Sequence, residues 1–234
     1  MRKRRLLIHP IILFVGISIT TFTLFSCRSI PPTEHSATEI EMGVAAVKEM
    51  ALLINSSVKE IHLKEETFGT LERELDQNIP GVNYLFHLFT LHINDSWEAL
   101  SGAVRSFIEQ SIDNELTISH PYLIIQGEVD AVTTLIDSTI RSKLTTFVAT
   151  SLKENYAQQA SEVWTHLQHI VDIYQRSHAY LLHQEYEPQV VDSPFLLISE
   201  QYVNLLFLEM AKQEALIRTM APAYDDSLIT LFER

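Results

Sequence analysis

Apolar residues recur along most of the chain at the spacing of one face of an α-helix. Ser36 and Glu39 have the spacing of a capping box, and after them the apolar positions alternate between steps of four and three residues. The members of this seam are Ile40, Val44, Val47, Ala51, Ile54, Val58 and Ile61. The seam predicts a long amphipathic helix that packs either on its own domain or on a second chain as an intermolecular coiled coil.

Further apolar stripes predict more helices, which proline and glycine separate. A short helix is expected before Pro80, and residues 84–93 are expected to be core. That short helix would hold Phe68, Leu71 and Leu75, and later helices would begin near Trp97, Pro121, Val132, Val163 and Pro194. The stripe from Val163 continues to Leu181, and a small C-terminal helix would hold Leu228, Leu231 and Phe232. The sequence thus predicts an all-α fold, a single helical bundle of about seven to eight helices over residues 36–234.

The N-terminal segment has the pattern of an export signal. Four basic residues precede an apolar run over residues 6–25, and no acid occurs before Glu34. The run ends in Leu24, Phe25, Ser26 and Cys27, which resembles the lipobox of bacterial lipoproteins. The resemblance implies that residues 1–26 are a cleaved signal peptide and that Cys27 carries the membrane lipid. An uncleaved membrane-spanning anchor and an ordinary signal peptide are the alternatives.

Cleavage would leave a strongly acidic body on the lipid. The mature chain keeps 13 basic against 30 acidic residues, a formal charge of −17. An anionic bilayer repels such a surface. The helical body is therefore expected to lie away from the membrane, connected to it by a tether over residues 27–35. Arg28 follows Cys27 in place of the Asp that holds some lipoproteins at the inner membrane. The expected location is the bacterial cell envelope, facing the periplasm or the cell surface, with the outer membrane favoured.

Composition narrows the classes of function. The negative charge argues against nucleic-acid binding, which needs clustered Lys and Arg. Cys27 is the only cysteine, so the chain can form neither an internal disulfide nor a Cys-rich metal or iron–sulfur site. The sequence has no glycine-rich phosphate loop and no Gly-x-Ser-x-Gly motif. We therefore expect a non-enzymatic protein with no catalytic residues, no cofactor and no metal.

Histidines and acids at helical spacing are the candidate metal ligands in this chain. The groups are Glu162, His166 and His169; His178, His183 and Glu185; His87 and His92; and Asp225 with Asp226. The first group shares one helix face and could hold zinc, but an exposed polar face is the simpler interpretation. The two histidines of the third group are expected to border the core. The aspartate pair could offer calcium ligands or be the acids of a helix N-terminus.

Several residues of the C-terminal half match a family signature that reads approximately L-F-x-x-I-A-E-E-E-x-x-I-R-x-x-P. The signature continues with paired leucines and a final Phe, and the matching residues are Leu206, Phe207, Met210, Ala211, Glu214, Ile217, Arg218, Pro222, Leu228 and Phe232. Upstream, a family helix that ends in I-L-x-G and the Ala-Ala-Thr helix after it are matched by Ile124, Ile125, Gln126, Gly127, Ala131, Val132 and Thr133. They resemble the domain-of-unknown-function family 4197, whose members are exported helical proteins. Lys212 and Gln213 replace acids of the signature. The resemblance covers roughly residues 118–234, is weak before them, and implies no activity.

Glu214 and Arg218 are spaced i, i+4 on the last long helix. This spacing predicts a helix-surface ion pair that contributes about 0.3–0.5 kcal/mol. The alternative is that Arg218 reaches a buried carboxylate or a ligand.

Three hypotheses about function follow from the sequence. The leading one is a membrane-anchored, non-enzymatic module whose acidic helical body docks another envelope protein. The second is a periplasmic carrier of an apolar ligand such as a lipid, enclosed by the apolar stretches 84–93 and 195–210. The third is a metal-dependent hydrolase built on the histidine pairs.

Overall fold

Helices form all the regular secondary structure in the part of the chain that the computed structural model describes. That part comprises residues 35–59, 61, 63, 68–69, 71, 75, 78–183 and 194–233, all within one compact unit. Its helices are α1 Ala37–Ser57, α2 Val82–Asn94, α3 Trp97–Asn114, α4 Pro121–Ile125, α5 Ala131–Ser151, α6 Gln158–Leu182 and α7 Pro194–Met220. A π-helical turn, Leu152–Tyr156, links α5 to α6, and two 3-10 turns, Ala221–Ala223 and Ile229–Phe232, follow α7. The predicted all-α fold is confirmed.

The capping box predicted at the start of α1 is present. The backbone N–H of Glu39 donates to the Ser36 hydroxyl (3.3 Å), and the Ser36 N–H donates to the Glu39 carboxylate (2.7 Å). These bonds satisfy donors that the first helical turn leaves free. The bond from the Ser36 backbone, reinforced by its hydroxyl, also holds the pKa of the Glu39 carboxyl below its ordinary value.

The apolar seam of α1 is buried inside its own domain. Val47, Ala51 and Ile54 have no exposed surface, because α3, α4, α5 and α7 all pack against α1. Ile40, at the start of the seam, is 41% exposed. The helix ends at Ser57, so the predicted final turn is wrong: Val58 is extended and buries its side chain from outside the helix. Packing within the chain therefore accounts for most of the seam without a second chain.

Two helix pairs of the domain are antiparallel. The pairs are α5 with α7 and α2 with α6, which have the most extensive helix contacts. At the end of α2, the Ser96 hydroxyl donates to the carbonyl of Tyr156 just before α6 (2.8 Å), and Phe89 packs on Trp164 with ring centroids 4.9 Å apart. The end of α2 thus meets the start of α6. Because α6 has 25 residues and α2 has 13, α6 extends past α2 by roughly 18 Å.

The turn between α4 and α5 needs a glycine, as the sequence predicts for the end of the short helix. A Cβ atom on Gly127 would lie 2.5 Å from the carbonyl oxygen of Leu123 and 3.2 Å from the Cβ of Ala131. Any side chain would therefore push apart the two helices that flank the turn. This close approach brings the end of α4 beside the start of α5.

Several predictions fall wholly or partly outside the described residues. The signal peptide, Cys27 and the tether lie outside them, and so does the loop between Pro188 and Pro194 that precedes α7. Of the predicted short helix, Phe68 and Leu71 are helical and buried, whereas Leu75 lies in a bend and is half-buried, and most of its other residues are not described. Among the described helices, none combines the length and the apolar character needed to cross a membrane.

Candidate functional site

Glu214 and Arg218 form a buried ion pair at the junction of three helices. Their side chains are 0% and 1% exposed, and Arg218 Nη2 lies 2.7 Å from Glu214 Oε1. Arg218 Nε donates to the same oxygen at 3.0 Å. The predicted helix-surface pair is therefore wrong, and the alternative, in which Arg218 reaches a buried carboxylate, describes the structure with Glu214 as that carboxylate.

The Glu214 carboxylate also caps the N-terminus of α5. Its two oxygens accept the backbone N–H groups of Val132 (3.0 Å) and Thr133 (2.7 Å). Both N–H groups belong to the first turn of α5, where the helix provides no acceptors and the dipole favours a negative charge. A carboxylate from α7 thus replaces the side-chain cap that Asp130 does not provide.

At the same junction, Arg218 caps the C-terminus of α4. Its Nη1 and Nη2 groups donate to the carbonyls of Ile125 (2.7 Å) and Ile124 (3.1 Å) at the end of α4. The guanidinium carbon lies 4.8 Å from the ring centroid of Phe232 in the last 3-10 turn. The pair therefore joins α4, α5, α7 and the C-terminal turn.

The sequence contained a cue to the burial of Glu214. Spacings of four and three residues place Met210, Glu214 and Ile217 on one face of α7, the face that packs on the core. Met210 and Ile217 are buried as expected for that face, and Glu214 lies between them. The i, i+4 spacing by itself indicates that two side chains meet, but not whether they meet in water or in the core.

The structure does not bring the proposed metal ligands together. Glu162, His166 and His169 lie on α6 and are exposed, and no three His, Cys, Asp or Glu side chains within the described ranges cluster as a metal site would. His87 is exposed and His92 half-buried, so the pair lies at the edge of the core as predicted.

The remaining acid and histidine candidates have local roles or lie outside the described residues. Asp226 accepts the backbone N–H of Leu228 at 2.8 Å, which starts the last turn of the chain, and Asp225 is exposed. His178 and His183 are exposed at the end of α6, whereas Glu185 falls outside the described part of the chain.

The end of α6 exposes a group of large apolar side chains, which we call the α6 surface. It comprises Ile173 (50% exposed), Tyr174 (39%), Tyr180 (80%), Leu181 (74%) and Leu182 (51%). The sequence predicted one continuous core stripe from Val163 to Leu181, but the buried part ends at Val171. The prediction fails there because α6 extends past α2 and its last turns lack the helix that covers the first ones.

The α6 surface differs in charge from the rest of the molecule. No Asp or Glu occurs from Ile173 to His183, although the chain as a whole carries a formal charge of −13. The cation within this segment, Arg176, pairs with Asp172 one turn earlier at 3.0 Å. The surface is therefore apolar and nearly uncharged within an acidic body. Apolar patches of this kind commonly mark interaction sites.

A second exposed feature is a polar groove between α5 and α7. Arg141 lies in this groove, donates two hydrogen bonds to Asp137 and is also bonded to Asn204. The bonds to Asp137 raise the pKa of the Arg141 guanidinium. Because Arg141 also stacks on Phe207 at 5.2 Å, its contacts hold α5 against α7.

The apolar stretches expected to enclose a lipid are packed against the core instead. Phe89 has no exposed surface and touches the rings of Phe86, Trp164 and Phe195. In the second stretch, Tyr202 stacks on Trp97 with ring centroids 4.8 Å apart. These rings pack on other rings of the core, which gives the carrier hypothesis no support.

Comparisons with known proteins identify the family but not an activity. A search of curated proteins and a search of solved structures each gave no match. A family model matches residues 55–232, about three quarters of the chain, and so begins well before the resemblance found in the C-terminal half. Because the match covers more than half of the chain, this protein belongs to the family described as "Protein of unknown function (DUF4197)".

Proposed function

We propose that the protein is a membrane-anchored lipoprotein of the bacterial cell envelope whose helical body docks another envelope protein. The lipobox-like run that ends at Cys27 supports the anchor. The Arg28 that follows supports the outer membrane as its location. The proposed role is non-enzymatic: the buried charged pair, Glu214 and Arg218, is occupied in joining helices.

The observation that carries the docking role is the α6 surface. Tyr180, Leu181 and Leu182 are three consecutive large apolar residues that are each at least half exposed. Consecutive residues on a helix point in different directions, so a partner that covers all three must enclose the helix end rather than touch one side. A protein with an apolar groove that receives a helix fits this requirement.

The anchor is tested by replacing Cys27. The Cys27→Ser variant is expected to lose all incorporation of labelled palmitate and to move from the membrane to the soluble periplasmic fraction, because serine has no thiol to accept the lipid. Metabolic labelling of the full-length chain in a bacterial host, followed by fractionation, measures both effects. Ser26→Ala is the matched control and should keep the label. A wild-type chain that stays unlabelled in the membrane would instead indicate a spanning anchor.

The docking role is tested by photo-crosslinking in living cells. A photoreactive residue at position 181 on the α6 surface is expected to give one discrete adduct with an envelope protein. The same residue in place of Lys153, which is exposed on the π-helical turn, is the control and should give none. Leu182→Glu should reduce the adduct at position 181 because it places a charge in an apolar contact. Equal adducts at both positions, no adduct, or an adduct with twice the mass of the chain would contradict docking to another protein.

A further inference from the structure

The packing of α2 on α6 has the spacing of a coiled coil. Each helix buries four residues at successive steps of four, three and four, so that one face of each helix forms a continuous seam. The buried residues are Val82, Phe86, Phe89 and Ile93 on α2, and Ala160, Trp164, Leu167 and Val171 on α6. The equal number and equal spacing of the two sets indicate that they pair with each other along the length of α2.

The ring contact between Phe89 and Trp164, whose centroids are 4.9 Å apart, fixes the register of this pair. Because the helices are antiparallel, a step back along α2 from Phe89 to Val82 corresponds to a step forward along α6 from Trp164 to Val171. Val171 is therefore the last α6 position opposite α2, which begins after Gly81. The φ of 87° at Gly81 lies in the left-handed region, so the chain leaves the direction of the helix there.

The seam on α6 continues beyond the start of α2. The next steps of three, four and three residues after Val171 lead to Tyr174, His178 and Leu181, which we call the open seam. All three side chains are exposed, although they lie on the side of α6 whose earlier residues are buried. The rings of Tyr174 and His178 are stacked, with centroids 6.1 Å apart. A packing interface inside the domain thus continues directly into an exposed one.

The opposite side of α6 is polar in its second half. His169, Asp172, Arg176 and His183 follow one another at steps of three, four and seven residues, roughly half a turn away from the open seam. Asp172 and Arg176 form an ion pair at 3.0 Å, and we call these four residues the polar strip. The end of α6 is therefore amphipathic, and the side that carries the open seam is the one that gains from cover by a partner.

We propose that the docking partner supplies an amphipathic helix, which lies on the open seam end to end with α2 and continues the packing that α2 begins. The inference rests on the proposed docking function, and it identifies a helix as the floor of the partner's apolar groove. Two turns of α6, roughly 11 Å, separate the ends of the open seam. A partner helix of about ten residues, with apolar residues at steps of three and four, is enough to cover it.

Charge and chemistry favour a helix from a different protein over a second copy of this chain. The chain carries a formal charge of −13, so two copies would bring two acidic bodies together. Two open seams packed antiparallel would also place both His178 side chains near the centre of the contact, where an apolar seam offers them no hydrogen-bond partner. The partner helix is therefore expected to carry apolar residues opposite the open seam and no net negative charge beside them.

The test is a photo-crosslinking scan of the full-length chain in living cells. A photoreactive residue is placed in turn at positions 174, 178 and 181 of the open seam and at positions 176 and 183 of the polar strip. The open-seam positions are expected to capture one and the same envelope protein, and the adducts should be lost at the polar strip. Mass spectrometry should locate the captured residues of that protein three, four or seven positions apart, as on one face of a helix.

A substitution within the open seam gives a second readout. His178→Leu replaces the polar member of the seam by an apolar one and should raise the adduct yield at position 181 by about threefold or more. His169→Leu, the same change on the polar strip before the open seam begins, should leave the yield unchanged. Thermal unfolding equal to that of the wild type would show that both variants remain folded.

The outcomes separate this inference from the docking function itself. Adducts of equal yield at both sets of positions, captured residues without helical spacing, or a lower yield with His178→Leu would overturn the partner helix while leaving docking in place. An adduct between two copies of the chain would assign the open seam to a second copy and overturn both, and so would the absence of any adduct.

Discussion

Replacing Arg218 by methionine is expected to lower the free energy of unfolding by about 3–5 kcal/mol. Methionine fills much of the same space without the charge, so the effect reports lost electrostatic contacts more than a cavity. Glu214 would remain charged with no exposed surface, and the carbonyls of Ile124 and Ile125 would lose the donors that cap α4. Urea denaturation followed by far-UV circular dichroism measures the change. Single domains typically have only about 5–15 kcal/mol of stability, so the loss would be large.

Two further variants compare the stability contribution of this buried pair with that of an exposed pair. Arg176→Met removes a pair with Asp172 at the same i, i+4 spacing, but the arginine side chain is 65% exposed. It should cost less than about 0.5 kcal/mol, because water and salt screen exposed pairs. The double variant Glu214→Leu/Arg218→Met should recover part of the loss, since no uncompensated charge remains in the core. If Arg218→Met cost no more than Arg176→Met, the buried pair would not stabilise the junction.

Replacing Trp97 by alanine is expected to lower the free energy of unfolding by about 3–5 kcal/mol. Trp97 is 1% exposed, and its ring is parallel to that of Tyr202, with an interplanar angle of 2°. The stack joins α3 to α7, and the indole N–H donates to Asn94 at 3.3 Å. Alanine would leave a cavity between these helices and remove both contacts. Thermal and urea unfolding should both show the loss.

Tyr180→Ala is the matched control for a large aromatic residue. Tyr180 is 80% exposed on the α6 surface, so its removal should change the stability by less than about 0.5 kcal/mol. Together, the two variants test whether Trp97 is part of the core and Tyr180 is exposed to solvent. A destabilisation by Tyr180→Ala as large as that by Trp97→Ala would mean that the α6 surface is covered within the chain, and it would remove the basis for docking there.

Local sequence patterns predicted the helices well because the forces that set them are local. Ser36 and Glu39 form the predicted capping box, and Trp97 begins α3 as the stripe indicates. The pattern was less accurate where the chain leaves the helix. The apolar spacing continues through Val58 and Ile61, but α1 ends at Ser57, and both side chains are buried from positions outside the helix.

Periodicity could not predict which apolar faces have a partner. The stripe on α6 continues beyond Val171 at helical spacing, yet it is exposed from Ile173 because α2 is shorter than α6. Three consecutive apolar residues, Tyr180, Leu181 and Leu182, were a cue, since a helix packed on one neighbour cannot bury all of them.

The sequence by itself determined the all-α fold, most helix starts and the resemblance to the family. Periodicity, capping and family signatures depend only on residues that are close together in the sequence. Only the tertiary structure decided the environment of each charge and each apolar face. Glu214 and Arg218 have the spacing of a surface pair, but the start of α5 and the end of α4 provide the partners that allow both charges to be buried. Burial depends on which elements meet in space, and a linear pattern does not contain that information.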